Sequence, residues 1–154
     1  LNNKSCILRI SWVYGPPIIG KTLDIQRGPI PNILYEAIKK NKTNYKLKSG
    51  KKFKASFTYI EDVNKAIFKL LKKNSFKKKY YHLGTGINNS FTEIFEILKK
   101  INKNITFNIG DGAMPWSSDS VMRGPLVSSE NSFIAKTTLE SGIRKYLKWL
   151  KQNA

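Results

Sequence analysis

Residues 8 to 14 read Leu-Arg-Ile-Ser-Trp-Val-Tyr and stop at Gly15-Pro16-Pro17. From residue 5 onward the run has few polar interruptions, and an apolar run bounded by Gly and Pro predicts a strand buried on both faces of a parallel sheet. A second such strand, Tyr80-Tyr81-His82-Leu83, runs into Gly84-Thr85-Gly86. Between them Val63, Ala66, Ile67, Leu70 and Leu71 recur at helical spacing behind the acidic pair Glu61-Asp62, which suits a helix N-cap. Buried strands alternating with amphipathic helices imply right-handed β-α-β crossovers, so the expected class is α/β with a parallel sheet.

The rest of the chain fits that frame. Gly15 to Pro31 is a loop rich in Gly and Pro, and Pro31 opens a helix carrying Ile33, Leu34, Ala37 and Ile38. Tyr45 to Leu47 and Phe53 to Tyr59 read as short strands around a Ser49-Gly50 turn. Ser90 and Thr92 can cap a helix whose apolar face runs from Phe91 to Ile101. Ile105 to Ile109 is a strand, Asp111 to Ser120 a loop, and a last helix runs from about Leu139 to Lys151.

Composition excludes several classes. At 154 residues with 40% apolar content the chain can bury one ordinary core. No apolar stretch is long enough to span a bilayer, and no secretory signal pattern opens the chain, so a cytoplasmic protein with no membrane partner is expected. Cys6 stands alone, in the first strand, and reads as a small core residue. His82 is the single histidine, so a dedicated metal site is not expected.

The net charge of +18 raises the question of nucleic acid. Only four of the 28 basic residues are arginines, Arg9, Arg27, Arg123 and Arg144, whereas base and bidentate phosphate recognition favours the guanidinium fork. The lysines fall in pairs and triplets at helix ends and loops, where they read as a solvated surface.

Four segments, in order, carry a family resemblance. They are Ser11-Trp12-Val13-Tyr14-Gly15-Pro16; Phe57-Thr58-Tyr59-Ile60-Glu61-Asp62-Val63 with Ala66; Tyr81 to Gly86 with Ser90-Phe91-Thr92-Glu93; and Arg123-Gly124-Pro125-Leu126 with the terminal helix from Leu139. Together they resemble the C-terminal half of the extended short-chain dehydrogenases, the NAD-dependent nucleotide-sugar epimerases and dehydratases. The chain begins at Leu1 and has no glycine before Ser11, whereas the family's Gly-rich phosphate loop and catalytic Tyr-x-x-x-Lys precede this strand. The resemblance therefore implies a C-terminal fragment. About 3–16 and 57–101 would complete a Rossmann domain, and about 17–56 and 102–154 would form a small mixed α/β substrate domain. No catalytic residue is expected within it.

What the resemblance implies is transient oxidation of a sugar hydroxyl by NAD or NADP, on a nucleotide-sugar substrate, in an enzyme that is a homodimer at full length and includes an N-terminal Rossmann half. Ser11 and Val13 match positions whose backbone approaches the cofactor. Trp12, Tyr14, Arg27 and Arg123 match the substrate side. Trp12 stands where many members have asparagine, and Ser-Trp-Val-Tyr-Gly is similar to the dehydrorhamnose-type reductases, which keeps a reductase open. Ala55 replaces an arginine that contacts phosphate, with Lys52 or Lys54 as substitutes, and Val127 replaces an aspartate. Tyr35 and Lys39 fit Tyr-x-x-x-Lys literally but follow the strand they should precede, so they are read as surface or packing residues. Gly84-Thr85-Gly86 is read as a tight turn and not as a dinucleotide fingerprint. The rival readings are a basic nucleic-acid-binding module and a standalone non-catalytic protein.

Overall fold

The computed structural model describes residues 4–16, 28–112, 114, 127–129 and 135–153. The order is β1 (Ile7–Ile10), β2 (Trp12–Tyr14), α1 (Pro29–Lys39), β3 (Asn44–Leu47), β4 (Lys54–Ala55), β5 (Phe57–Tyr59), α2 (Ile60–Leu71), β6 (Tyr80–Leu83), β7 (Asn89–Ser90), α3 (Phe91–Ile101), β8 (Thr106–Ile109) and α4 (Leu139–Asn153). This is the α/β arrangement expected, with β1–β6, β2–β5 and β3–β8 parallel and β4–β7 antiparallel.

The first strand is not one strand with one partner. Its ladder changes hands at Ser11: the Ser11 amide donates to Leu83 O at 3.4 Å, and the Trp12 amide donates to Ser56 O at 3.1 Å. Successive amides of a strand point to opposite edges, so β6 lies on one edge and β5 on the other. β6 borders the lower half only and β5 the upper half only. Along Ile7–Ile10 the edge away from β6 has no partner strand among the described residues.

The expectation that both buried strands are covered on two faces needs correction. In the β1–β6 register, Leu8 stands opposite Tyr81 and packs, with Leu83, against Val63, Ala66 and Leu70 of α2, while Ile10 at the strand end is 37% exposed. Ile7 and Tyr80 stand on the other side at 48% and 43% exposure, with Arg9 also exposed beside them. Among the described residues, the apolar run expected to be buried on both faces is covered on one only.

A larger core adjoins this one, with Ile60 packed against both. Ile30, Ile33 and Leu34 of α1, Phe91, Ile94, Phe95 and Leu98 of α3, and Ile143, Tyr146 and Leu150 of α4 enclose Tyr14, Tyr45, Phe57 and Tyr59 from the strands. Aromatic rings meet throughout it, Phe95 tilted on Tyr45 at 5.0 Å and Phe53 stacked on Phe91 at 5.0 Å among them. Gly142 of α4 is required by this packing, because a Cβ there would overlap the Tyr14 ring.

The helices form where their apolar spacing places them, with differences at the ends. α1 starts at Pro29, two residues earlier than read from Pro31. α3 is capped by Ser90 alone, in a reciprocal box: the Glu93 amide donates to Ser90 Oγ at 3.2 Å and the Ser90 amide to Glu93 Oε2 at 2.6 Å. Burial pushes the Glu93 carboxyl up, but the hydrogen bonds from Ser90 and Asn89 and the Lys54 charge outweigh it and hold it below the ordinary glutamate range. Tyr45–Leu47 and Phe53–Tyr59 do not pair with each other across the Ser49-Gly50 turn. β3 takes β8 as its partner, β4 takes β7 and β5 takes β2.

Candidate functional site

The partner switch at Ser11 lies at the carboxyl end of β1, beside the carboxyl end of β6 and its Gly84. In open parallel sheets such points collect ligands, because diverging loops leave a crevice between strand ends. Ser11 Oγ is hydrogen-bonded to Thr58 Oγ1, which ties the two hydroxyls across β2 and β5. The Val13 side chain is 40% exposed on the same face of the strand as Ser11, and Thr58 sits opposite it in register. Ser11 and Val13 are therefore brought together, and Thr58, which sequence reading did not single out, joins them. A period-2 strand pattern opposite Val13 would have been the only signal for it.

Trp12 and Tyr14 point the other way, into the larger core. The Trp12 ring meets Phe53 at 5.8 Å and Phe57 at 6.1 Å, both edge-on. Beside it Ser56 is buried, and its hydroxyl has no hydrogen-bond partner among the described residues. Tyr14 is 3% exposed and donates its hydroxyl to Leu139 O at 3.4 Å. Burial, followed by the neighbouring Tyr59 and Asp62, pushes the Tyr14 phenol far above its ordinary value. Tyr59 is pushed up to about 12, by burial first and then by Glu61 and Tyr146. Phenols so strongly held in the neutral form pack and donate hydrogen bonds. Arg27 and Arg123 lie outside the described residues, as do Trp116 and the Arg123-Gly124-Pro125-Leu126 segment.

The turn after β6 is held from an unforeseen direction. Residues 127–129 lie along it: Thr85 and Val127 form an antiparallel bridge, Ser128 Oγ donates to Gly84 O at 2.9 Å, and the His82 amide donates to Ser129 Oγ at 2.7 Å. Gly86 takes a φ of 74°, so Gly84-Thr85-Gly86 is the tight turn expected of it.

Asp62 does not play the local role its place in the sequence suggests. The residue before α2 is Tyr59, with no side-chain cap, and Asp62 Oδ2 instead accepts the Thr137 amide at 2.8 Å. A buried carboxylate at the start of α2 thus fixes the chain just ahead of α4. Nearby, Lys145 of α4 pairs with Glu61 at 2.7 Å. Among the described residues no group of three His, Cys, Asp or Glu is placed to hold a metal ion.

No family model and no curated protein matches the sequence. Solved structures do. UDP-glucose 4-epimerase from Thermotoga maritima superposes with a TM-score of 0.69 at 18% identity, over 96% of this chain and 46% of the other. The dTDP-glucose 4,6-dehydratase of Bacillus anthracis, solved with NAD, gives 0.65 at 20% identity over 96% and 45%. RMD from Pseudomonas aeruginosa, solved with NADPH, gives 0.69 at 14% identity over 98% and 50%. The chain has the Rossmann-like α/β fold that it shares with these structures. It spans about half the length of the solved chains that share this fold.

Proposed function

We propose that this chain is the C-terminal portion of an NAD(P)-dependent nucleotide-sugar epimerase or dehydratase that works by transient oxidation of a sugar hydroxyl. Residues of about 3–16 and 57–101 would belong to its Rossmann domain and about 17–56 and 102–154 to its substrate domain. The observation that carries the reading is the half-built sheet: among the described residues β1 has no partner strand on one edge along Ile7–Ile10, and Ile7 and Tyr80 are exposed. Doubly wound sheets cover both faces with helices, so a preceding half that supplies a neighbouring strand and a helical layer fits what is left open. The matched structures, about twice as long, support the same completion.

NAD or NADP fits the residues at the strand switch. Half-buried Ser11, held by the buried Thr58 hydroxyl, offers a polar group and Val13 an exposed apolar surface where β1, β5 and β6 diverge. The cofactor would supply hydride acceptance, and these residues would bind and orient it. Trp12 and Tyr14 then serve the substrate side as the aromatic backing of the site and not as titrating groups. Arg27 and Arg123 are assigned to the sugar-nucleotide diphosphate, whose charge suits a guanidinium fork. The catalytic tyrosine and lysine would come from the preceding half, and the fragment alone would be inactive. The full-length enzyme would be a cytoplasmic homodimer. A reductase outcome stays as a second reading on the strength of Trp12, whose packed ring stands where many epimerases and dehydratases carry asparagine.

The test is to sequence upstream of the Leu1 codon, express the whole reading frame and assay it. The expected result is an in-frame Gly-rich loop and Tyr-x-x-x-Lys, with binding of NAD or NADP and turnover of a UDP- or dTDP-hexose. An unrelated upstream sequence, or a full-length product that binds neither cofactor, would overturn the reading.

A further inference from the structure

Arg9 stands on the sheet face that α2 does not cover. Side chains alternate along a strand, so in the β1–β6 register Ile7 and Arg9 share this face with Tyr80 and His82. Ile7, Arg9 and Tyr80 are all exposed. The Arg9 guanidinium lies 5.1 Å from the centre of the Tyr80 ring, and Lys79 Nζ lies 5.7 Å from the same ring. Among the described residues that ring contact is all that holds the Arg9 side chain, which has no ion pair and no hydrogen bond. Arg144, by contrast, sets two N–H groups on Glu140 at 3.0 and 2.7 Å.

Ile7 and Tyr80 give this face an apolar surface, and it lies beside a β1 edge with no partner strand among the described residues. Parallel sheets carry helices on both faces, and α2 supplies one layer only. A helix laid over Ile7 and Tyr80 would cover Arg9 as well and take its charge out of water. Burying a guanidinium without a counter-charge is strongly unfavourable, so the covering layer has to bring a carboxylate. The acids at the start of α2 are already engaged, Glu61 with Lys145 and Asp62 with the Thr137 amide. A guanidinium resting on an aromatic ring keeps its N–H fork free for a carboxylate. A second copy of this chain fits poorly, because it would bring a net charge of +18 against the same cations.

We propose that Ile7, Arg9 and Tyr80 form the docking surface for an amphipathic helix of the preceding half, which covers Ile7 and Tyr80 with apolar side chains and sets an Asp or Glu carboxylate on Arg9. The inference rests on the reading of this chain as a C-terminal portion, and it adds the charge that joins the two halves. The solved chains that share the fold, about twice as long, leave room for such a helix.

The experiment compares this chain with the product of the whole reading frame. Phenylglyoxal, an arginine reagent, is the probe, and mass spectrometry reads its addition at Arg9 and Arg144. In the chain alone both arginines should react readily. In the full-length protein Arg9 should slow by about tenfold or more, since it reacts only when the docked layer opens, while Arg144 keeps its rate. Each Asp and Glu of the preceding half is then changed in turn to its amide, and one such change should restore much of the Arg9 reactivity. Arg9→Met should raise the unfolding constant of the full-length protein by about 100-fold or more, as loss of one partner of a buried pair does. In the chain alone, where Arg9 is exposed, the change should be about twofold, with circular dichroism to check folding.

A full-length protein that binds NAD or NADP while Arg9 stays as reactive as in the chain alone would overturn this inference and leave the proposed function standing. Protection of Arg9 by a single carboxylate in a protein that binds neither cofactor would support the docking surface and overturn the proposed function. Protection that no acidic position relieves would overturn the ion pair. Protection that rises with the concentration of the chain alone would make a second copy the occupant, and a stop codon directly upstream would overturn the inference together with the reading it rests on.

Discussion

Phe95 and Leu83 are both fully buried, but they stand in differently built surroundings. Around Phe95, helices α1, α3 and α4 close over the rings of β2, β3 and β5, and the region carries most of the chain's enclosed apolar surface. Around Leu83, the β1–β6 pair has α2 on one face, and among the described residues no helix covers the other, where Ile7 and Tyr80 are exposed. The first region is complete by itself, whereas the second is one layer short, and the shortfall falls on the strand where the candidate site begins. A sheet of this kind is stable when both faces are covered, so the difference predicts unequal local stability within one chain.

The sharpest way to break the comparison is to open the complete region. Phe95→Ala removes a ring stacked on Phe107 at 5.1 Å and tilted on Tyr45, and is expected to destabilise the chain by about 3–5 kcal/mol in chemical denaturation. A loss below about 1 kcal/mol would mean that this core does not hold the chain together. Asp62→Ala cuts the tie between the two regions by leaving the Thr137 amide without its carboxylate. A cost of about 2 kcal/mol is expected, together with faster proteolysis near residue 137.

Smaller effects sharpen the picture within the complete region. Ser90→Ala should cost about 1 kcal/mol by removing the α3 cap. Because the Glu93 carboxyl is held below its ordinary value in the folded chain, its share of the cap is present above the unfolded glutamate value and is lost as pH falls through the folded one. An acid titration of stability should therefore be flatter in Glu93→Gln than in the parent chain. The smallest change is Lys145→Ala. It removes the exposed pair with Glu61 between α4 and α2 and should shift stability by about 0–1 kcal/mol, less at high salt.

The sequence made some of this legible. Helical spacing placed α2, α3 and α4 nearly to their ends, because each has a broad apolar face of its own. The extended run around Ser11 was legible, but the break and change of partner at Ser11 were not, since they depend on Leu83 and Ser56, both far along the chain. The bare face was hidden for a related reason. A run apolar on both faces reads as doubly buried, and Ile7 and Tyr80 are apolar without the layer that would bury them. Asp62 looked like a local cap because its partner at Thr137 lies 75 residues on. Of the candidate site, the sequence pointed to Ser11 and Val13, which share one face of the strand, and not to Thr58 opposite Val13, while Arg27 and Arg123 lie outside the described residues.

Amide hydrogen exchange, read residue by residue on this chain and on the full-length protein, tests the half-built sheet most directly. In the chain alone, amides of β1 and β6 should exchange much faster than those of α3, and in the full-length protein the two sets should reach similar protection. Equal protection of β1, β6 and α3 in the chain alone would contradict the account, because the β1–β6 pair would then need no further layer.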